Sequence, residues 1–200
     1  MILCLCGAIA TGKSTVANVW EEMGAKVIRA DLVGHRVLSL PHVKEALREK
    51  FGEGIFMEGE VDRKALAERV FFDREALEFL NHLSHPEIKR LIGEEIKSQK
   101  GIVVIEAALL FEIGLDEFCH IIVSTYCPKE LQRQRLVARG YNPEEAEARM
   151  RAQAPPEFCA SKAHIIIETS APIDRVREKA REIFTKIKEG AWVLREAKLK

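Results

Sequence analysis

A loop with the residue types of a phosphate-binding site follows a short apolar run at the start of the chain. Residues 7–14 read Gly-Ala-Ile-Ala-Thr-Gly-Lys-Ser, which fits the pattern G-x-x-x-x-G-K-[ST] in full. Glycines let the backbone curl so that N–H groups point at anionic oxygens, and a following helix adds its positive N-terminal end. The lysine suits contact with the β- and γ-phosphates, and the serine suits binding of Mg²⁺. The loop therefore predicts a nucleotide site with ATP as co-substrate and Mg²⁺ as cofactor. Its expected ligands are Gly7, Ala10, Thr11, Gly12, Lys13, Ser14 and Thr15.

Two carboxylates stand near the ends of later apolar runs. Asp31 ends the run at 25–31, and Glu106 lies near the end of the run at 101–107. In an open parallel sheet, ligands collect beyond the carboxyl ends of the strands, so both side chains should point toward the loop. One carboxylate suits deprotonating or orienting an attacking hydroxyl, and the other suits the metal shell. A helix N-cap for Asp31 and a solvated strand end for Glu106 remain open as alternatives.

Arginines are concentrated in the segment 129–153. Arg135 and Arg139 are four residues apart and share one helix face, and Arg149 follows on the next predicted helix. A solvated charged face is one interpretation. The other is a lid, because phosphoryl transfer needs cations and a helical pair hinged near Gly140 could deliver them.

The elements that must position these residues alternate between strand and helix. Near-continuous β-branched runs separated by helical patterns are typical of a parallel sheet of α/β type that is buried on both faces. The five predicted strands lie at 2–6, 25–31, 101–107, 119–125 and 163–169. The predicted fold class is therefore α/β, with a five-stranded parallel sheet flanked by helices.

A long helical insertion follows the second predicted strand. Residues 32–99 are more than a crossover connection requires, and Asp62 and Asp73 stand where N-caps would open helices within them. The organisation we predict is one domain over residues 1–200. Its parts are a nucleotide-binding core (1–31 and 100–200), a helical sub-domain for the acceptor substrate (32–99) and a lid (129–158).

Composition excludes several other classes. Hydrophobic residues make up 47% and charged residues 31%, and Lys+Arg and Asp+Glu balance at 31 each. This balance gives no sign of a nucleic-acid or membrane partner. No apolar run approaches the roughly 18 residues of a membrane span. Five cysteines without a C-x-x-C pair are interpreted as reduced core residues of a cytoplasmic protein.

Several motifs, in their order along the chain, resemble those of the dephospho-CoA kinases, a family of P-loop kinases. The loop alone is shared by many families, but the later blocks are much more specific. The similarity covers roughly residues 1–170. Its blocks after the loop are "RADLVGHRVL" (29–38), "GEVDRKALAERVFFD" (59–73), "LSHPEI" (83–88), "IEAALLFEIGLD" (105–116) and "QRLVARGYNPEEAEARMRAQ" (134–153).

The resemblance implies transfer of the γ-phosphoryl group of ATP to the ribose 3′-hydroxyl of dephospho-CoA, which gives CoA and ADP in the last step of coenzyme A biosynthesis. Asp31 matches the family's base, and Arg139 matches the lid arginine near the phosphates. Arg63 and His85 fall in motifs of the helical region that holds the acceptor. The implied catalytic residues are Asp31, Lys13 and Arg139. The implied ATP-binding residues are those of the loop together with Arg135 and Arg139. The implied acceptor-binding residues are Asp31, Arg63, His85 and Glu106. The Mg²⁺ ligands are Ser14 and Glu106, the latter directly or through water.

The sequence departs from the family pattern at a few positions, among them Arg29, Glu106, Cys159, His164 and Thr169. Thr169 stands where the family has asparagine at the end of the fifth predicted strand. Two other functions remain open. One is a different small-molecule, nucleoside or nucleotide P-loop kinase, and the other is an ATP-binding regulator without transfer activity. The expected partners are ATP and dephospho-CoA, and the question of protein partners stays open.

Overall fold

The computed structural model describes residues 1–71 and 73–190. The chain divides into two compact units. One contains Met1–Val27, Gly101–Ala108 and the described residues 119–190, and the other contains Ile28–Lys100 and Leu109–Phe118.

The elements alternate as the sequence predicts. The strands are β1 (Ile2–Cys6), β2 (Lys26–Arg29), β3 (Phe56–Met57), β4 (Glu60–Val61), β5 (Val103–Glu106), β6 (Ile121–Tyr126) and β7 (Ile165–Glu168). The helices are α1 (Lys13–Glu22), α2 (Ala30–Val37), α3 (Pro41–Phe51), α4 (Arg63–Phe71), α5 (Arg74–Lys97), α6 (Lys129–Ala138), α7 (Pro143–Arg151), α8 (Pro156–Lys162) and α9 (Ile173–Lys188). Among the described helices, none is both long and apolar enough to cross a membrane.

The main sheet has five strands in the order β2-β5-β1-β6-β7, which confirms the predicted α/β fold. The central strand β1 pairs in parallel with β5 and with β6, with Leu5 opposite Glu106 and Cys6 opposite Ser124. The carboxyl ends of three neighbouring strands therefore lie side by side. The loop after β1 begins between the ends of β5 and β6, which is where parallel sheets bind ligands.

Two helices cover the core of the first unit. α1 and α9 pack together, and Trp20 stacks on Phe184 with ring centroids 5.7 Å apart. The indole Nε1 of Trp20 donates to the carbonyl of Ala180 at 2.9 Å, so this buried donor is satisfied. Side chains of β1, including Leu3 and Leu5, belong to the same fully buried cluster. This core fixes the start of α1, and with it the position of the loop.

The second predicted strand ends two residues earlier than expected. β2 stops at Arg29, and Ala30 begins α2, so Asp31 lies in the first turn of that helix. A carboxylate in this position complements the positive end of the helix dipole. The interpretation of Asp31 as the last residue of a strand is wrong in this detail.

The second unit is mainly helical, as predicted for this segment. Asp62 accepts from the amides of Lys64 and Ala65 at 2.9 and 3.3 Å, and Asp73 caps α5 by accepting from the amide of Ala76 at 3.0 Å. Both N-cap predictions are confirmed. The sequence did not reveal the small antiparallel hairpin of β3 and β4, since strands of two residues each are too short to show an alternating pattern.

The prediction that the cysteines are reduced is wrong for four of them. Disulfides join Cys4 to Cys119 and Cys6 to Cys159, with Cα–Cα distances of 5.6 and 6.3 Å, and Cys127 is a buried free thiol. The bridged residues are 115 and 153 positions apart in the sequence. Such pairings depend on which strands and helices become neighbours, and residue spacing does not contain that information.

Candidate active site

The loop between β1 and α1 has the backbone conformation of an anion-binding turn. Gly7 has φ of +141°, Ala10 has φ of +62° and Gly12 has φ of +94°. A Cβ atom on Gly7 would lie 2.6 Å from both the carbonyl and the hydroxyl oxygens of Thr125, so only glycine fits there. Ala10 adopts a positive φ that is uncommon for a residue with a side chain. Such conformations let successive N–H groups face one concave side.

The ammonium group of Lys13 contacts the beginning of the loop. Its Nζ donates to the carbonyl of Gly7 at 2.7 Å and to that of Ala8 at 3.1 Å. The side chain therefore folds back over the loop rather than into solvent. This places a positive charge at the turn, where phosphate oxygens are the predicted ligands.

Ser14 and Glu106 meet although they are far apart in the sequence. Ser14 Oγ donates to Glu106 Oε1 at 2.7 Å, and the Glu106 side chain is only 8% exposed. A hydroxyl and a carboxylate are oxygen ligands of the kind Mg²⁺ prefers, and Mg²⁺ binds through few protein ligands together with substrate phosphates. These two residues fit the predicted metal. In the described part of the chain, no group of three or more His, Cys, Asp or Glu is placed to hold a metal ion.

The predicted lid helices pack on the loop. Leu136 of α6 and Ala146 of α7 are fully buried and cluster with Ala10. Asn142 caps α7 through a reciprocal capping box with Glu145. Gly140, the predicted hinge, has φ of +96° between the two helices. The arginine-rich segment thus contacts the loop between β1 and α1.

Two of the three arginines of the predicted lid, Arg135 and Arg139, line one cavity of about 180 Å³ beside the loop, and Arg149 does not. Arg135 Nη1 donates at 3.1 Å to the carbonyl of Ala10 and at 3.1 Å to the hydroxyl of Thr169. Arg139 is the exposed C-cap residue of α6. Gly12 and Thr15 line the same space. The structure therefore brings Arg135 and Arg139 together with the loop.

Three residues at the site were not predicted to be ligands. Thr125 bonds Thr11 side chain to side chain at 2.8 Å, Thr169 contacts Thr11 and Arg135, and Gln153 Oε1 accepts from the amide of Ile9 at 2.8 Å. Thr125 was predictable, since it lies near the carboxyl end of a strand beside β1. Gln153 is 144 residues from Ile9 and carries no local signal for this contact.

The remaining predicted residues belong to the second unit. Asp31 is exposed in the first turn of α2. Arg63 Nη1 lies 2.7 Å from Nδ1 of His35. His85 is partly buried, and burial lowers its pKa below the usual value although the nearby Glu112 acts in the opposite direction.

A turn of this kind, after the central strand of a five-stranded parallel sheet and directly before a helix, is characteristic of the P-loop kinase fold. The model of the dephospho-CoA kinase family matches residues 1–175. The chain belongs to the dephospho-CoA kinase family.

Similar proteins agree with this assignment. A dephospho-CoA kinase from Carboxydothermus hydrogenoformans is 37% identical over 198 residues, covering 96% of each chain. The solved structure of a dephospho-CoA kinase from Campylobacter jejuni matches with a TM-score of 0.72 at 29% identity, covering 95% of this chain and 98% of the other. A shikimate kinase from Acinetobacter baumannii shares the fold, with a TM-score of 0.55 at 20% identity and coverage of 96% and 94%.

Proposed function

We propose that this protein transfers the γ-phosphoryl group of ATP to the ribose 3′-hydroxyl of dephospho-CoA. The observation that carries the proposal is the hydrogen bond between Ser14 and Glu106, because it joins the end of the phosphate loop to a carboxylate on the neighbouring strand. A hydroxyl and a carboxylate placed together suit an enzyme that handles a metal–nucleotide complex. Family membership then indicates which hydroxyl is phosphorylated.

The candidate site residues have separate proposed roles toward ATP and toward the acceptor hydroxyl. Loop amides and Lys13 bind the β- and γ-phosphates. Ser14 and Glu106 would hold Mg²⁺, and the bound ion would offset phosphate charge. Asp31 takes the proton from the acceptor hydroxyl as that oxygen attacks the γ-phosphorus, and the bond from the γ-phosphorus to the bridging oxygen breaks so that ADP leaves. Arg139 contributes positive charge to the γ-phosphoryl group during transfer.

The second unit is the proposed acceptor site. Arg63 and His85 lie on its helices, and their cationic and imidazole groups suit the phosphate and ribose groups of dephospho-CoA. The lowered pKa of His85 favours a neutral imidazole at pH 7, so we assign it hydrogen bonding rather than charge. The cytoplasmic location and the absence of nucleic-acid partners stay predictions.

ADP release with different acceptors tests the proposed function. The purified protein is incubated with ATP and Mg²⁺, and dephospho-CoA is compared with nucleosides, nucleoside monophosphates and shikimate. We expect turnover with dephospho-CoA well above every other acceptor. If dephospho-CoA gave no ADP release while another acceptor did, the protein would be a different small-molecule kinase. ATP binding without turnover on any acceptor would favour a regulator.

Removing the Arg139 side chain should affect transfer more than binding. We expect Arg139→Ala to lower kcat about 10²-fold while the dissociation constant of ATP changes only slightly, because the guanidinium acts on charge that develops during transfer. Arg133→Ala is the matched control, since Arg133 lies on the same helix and pairs with Glu130 at the surface. A loss of ATP affinity with kcat unchanged would contradict the proposed role.

Removing the Ser14 hydroxyl should weaken the metal site. We expect Ser14→Ala to raise the Mg²⁺ concentration for half-maximal rate about tenfold, since one of few protein oxygen ligands is lost. The measurement is a Mg²⁺ titration at fixed ATP. Ser161→Ala, an exposed serine of α8, is the control. An unchanged Mg²⁺ requirement would show that Ser14 is not a ligand of the metal.

A further inference from the structure

Thr169 lies directly beside the phosphate loop. It follows β7, and its residue is only 1% exposed. Its amide donates to the carbonyl of Tyr126 at 2.8 Å, which fixes the backbone at this point. Its methyl carbon would lie 3.3 Å from a Cβ atom placed on Gly12. The side chain therefore packs against Gly12, the residue that precedes α1.

The Thr169 hydroxyl joins two groups of the nucleotide site. It donates to the carbonyl of Thr11 at 2.7 Å and accepts from Nη1 of Arg135 at 3.1 Å. A longer contact of 3.3 Å to the carbonyl of Tyr126 competes for the same hydrogen, and the shorter distance identifies the main acceptor. The hydroxyl thus contacts the loop backbone and Arg135 at once, and Nη2 of Arg135 also donates to the backbone carbonyl of Thr169.

The bond to Thr11 fixes the direction of the next amide. A peptide unit is planar and trans, so its carbonyl and its N–H point in opposite directions. Because the Thr11 carbonyl points at Thr169, the N–H of Gly12 points away from Thr169. The bond therefore fixes the direction of an N–H group in the loop, and loop N–H groups are the donors that we expect to bind phosphate.

Arg135 supports the same part of the loop. Its Nη1 also donates to the carbonyl of Ala10 at 3.1 Å, so Thr169 and Arg135 together hold two successive loop carbonyls, those of Ala10 and Thr11. Ala10 has a positive φ, a backbone conformation that costs free energy and persists only where surrounding contacts hold it. The bonds to these two carbonyls provide such contacts.

We propose that Thr169 is a positioning residue for nucleotide binding, and that its hydroxyl holds the phosphate loop and Arg135 in the conformation that receives the phosphates of ATP. The proposal rests on the proposed function only in taking a nucleotide as the ligand of the loop. It assigns a role to a position where the chain departs from the family pattern.

Direct binding of ADP, without acceptor, tests this role by calorimetry. Thr169→Val keeps the shape of the side chain and removes the hydroxyl, so it should raise the ADP dissociation constant about tenfold, because a buried carbonyl loses its donor. Thr169→Ser keeps the hydroxyl and should bind within about threefold of wild type. Thr185→Val makes the same change at an exposed position of α9 and should bind like wild type.

Steady-state kinetics separate positioning from general damage. Thr169→Val should raise KM for ATP and leave KM for dephospho-CoA unchanged. Wild-type ADP affinity in Thr169→Val would overturn the proposal. So would a serine variant as weak as the valine variant, or equal increases in both KM values. If Thr169→Val does not fold, Thr169→Ala takes its place, and its ADP affinity and KM values are judged by the same criteria. A wild-type protein that fails to bind ADP would instead refute the proposed function.

Discussion

Replacing Asp31 with asparagine is expected to lower kcat by about 10²-fold or more, because the asparagine amide cannot accept the proton of the acceptor hydroxyl. The change preserves size, so KM values for ATP and dephospho-CoA should move little. Steady-state kinetics with both substrates varied measure the effect.

A matched control separates catalysis from helix stability. Asp31 lies in the first turn of α2, where loss of its charge also removes a favourable interaction with the helix dipole. Asp174 is likewise exposed in the first turn of α9. Asp174→Asn should therefore reproduce any effect on stability and none on kcat. Wild-type turnover in Asp31→Asn would remove Asp31 from the mechanism.

Replacing Lys13 with alanine is expected to lower kcat/KM for ATP by about 10²-fold or more, since the variant loses the positive charge at the β- and γ-phosphates. The ammonium also bonds the carbonyls of Gly7 and Ala8, so the loop itself should loosen and ADP affinity should fall. Kinetics and ADP calorimetry measure the two effects.

Lys179→Ala serves as the control for Lys13→Ala, because Lys179 pairs with Glu182 on the surface of α9 and such pairs contribute little to stability. It should behave like wild type in both assays. The proposed role of Lys13 would be wrong if Lys13→Ala retained wild-type kcat/KM and ADP affinity.

The parts of the fold with strong local signals were predictable from the sequence. β1 matches the predicted strand 2–6, and the loop after it could be assigned because pattern, preceding strand and following helix agree. The meeting of Ser14 and Glu106 was also predictable, since parallel strands place their carboxyl ends at one edge. Here chain direction alone brings distant residues together.

Features set by tertiary packing could not be predicted. The hydrogen bond from the amide of Ile9 to Gln153 depends on how the segment around Gln153 packs against the loop. The pairing of Cys6 with Cys159 depends on which helix lies near the end of β1. In the sequence, Thr169 stands out only as a departure from the family pattern, because a single threonine has no pattern that reveals the carbonyl it contacts. The early end of β2 reflects a helix that begins at Ala30, and the apolar run extends across that boundary.

The central claim is that the γ-phosphoryl group of ATP moves to the 3′-hydroxyl of dephospho-CoA. Product analysis by phosphorus and proton NMR, after incubation of the protein with ATP, Mg²⁺ and dephospho-CoA, tests it most directly. We predict CoA phosphorylated at the ribose 3′ position and one equivalent of ADP, with no product in the Asp31→Asn sample on the same timescale. Unchanged dephospho-CoA, or a phosphate at any other position of the acceptor, would contradict the claim.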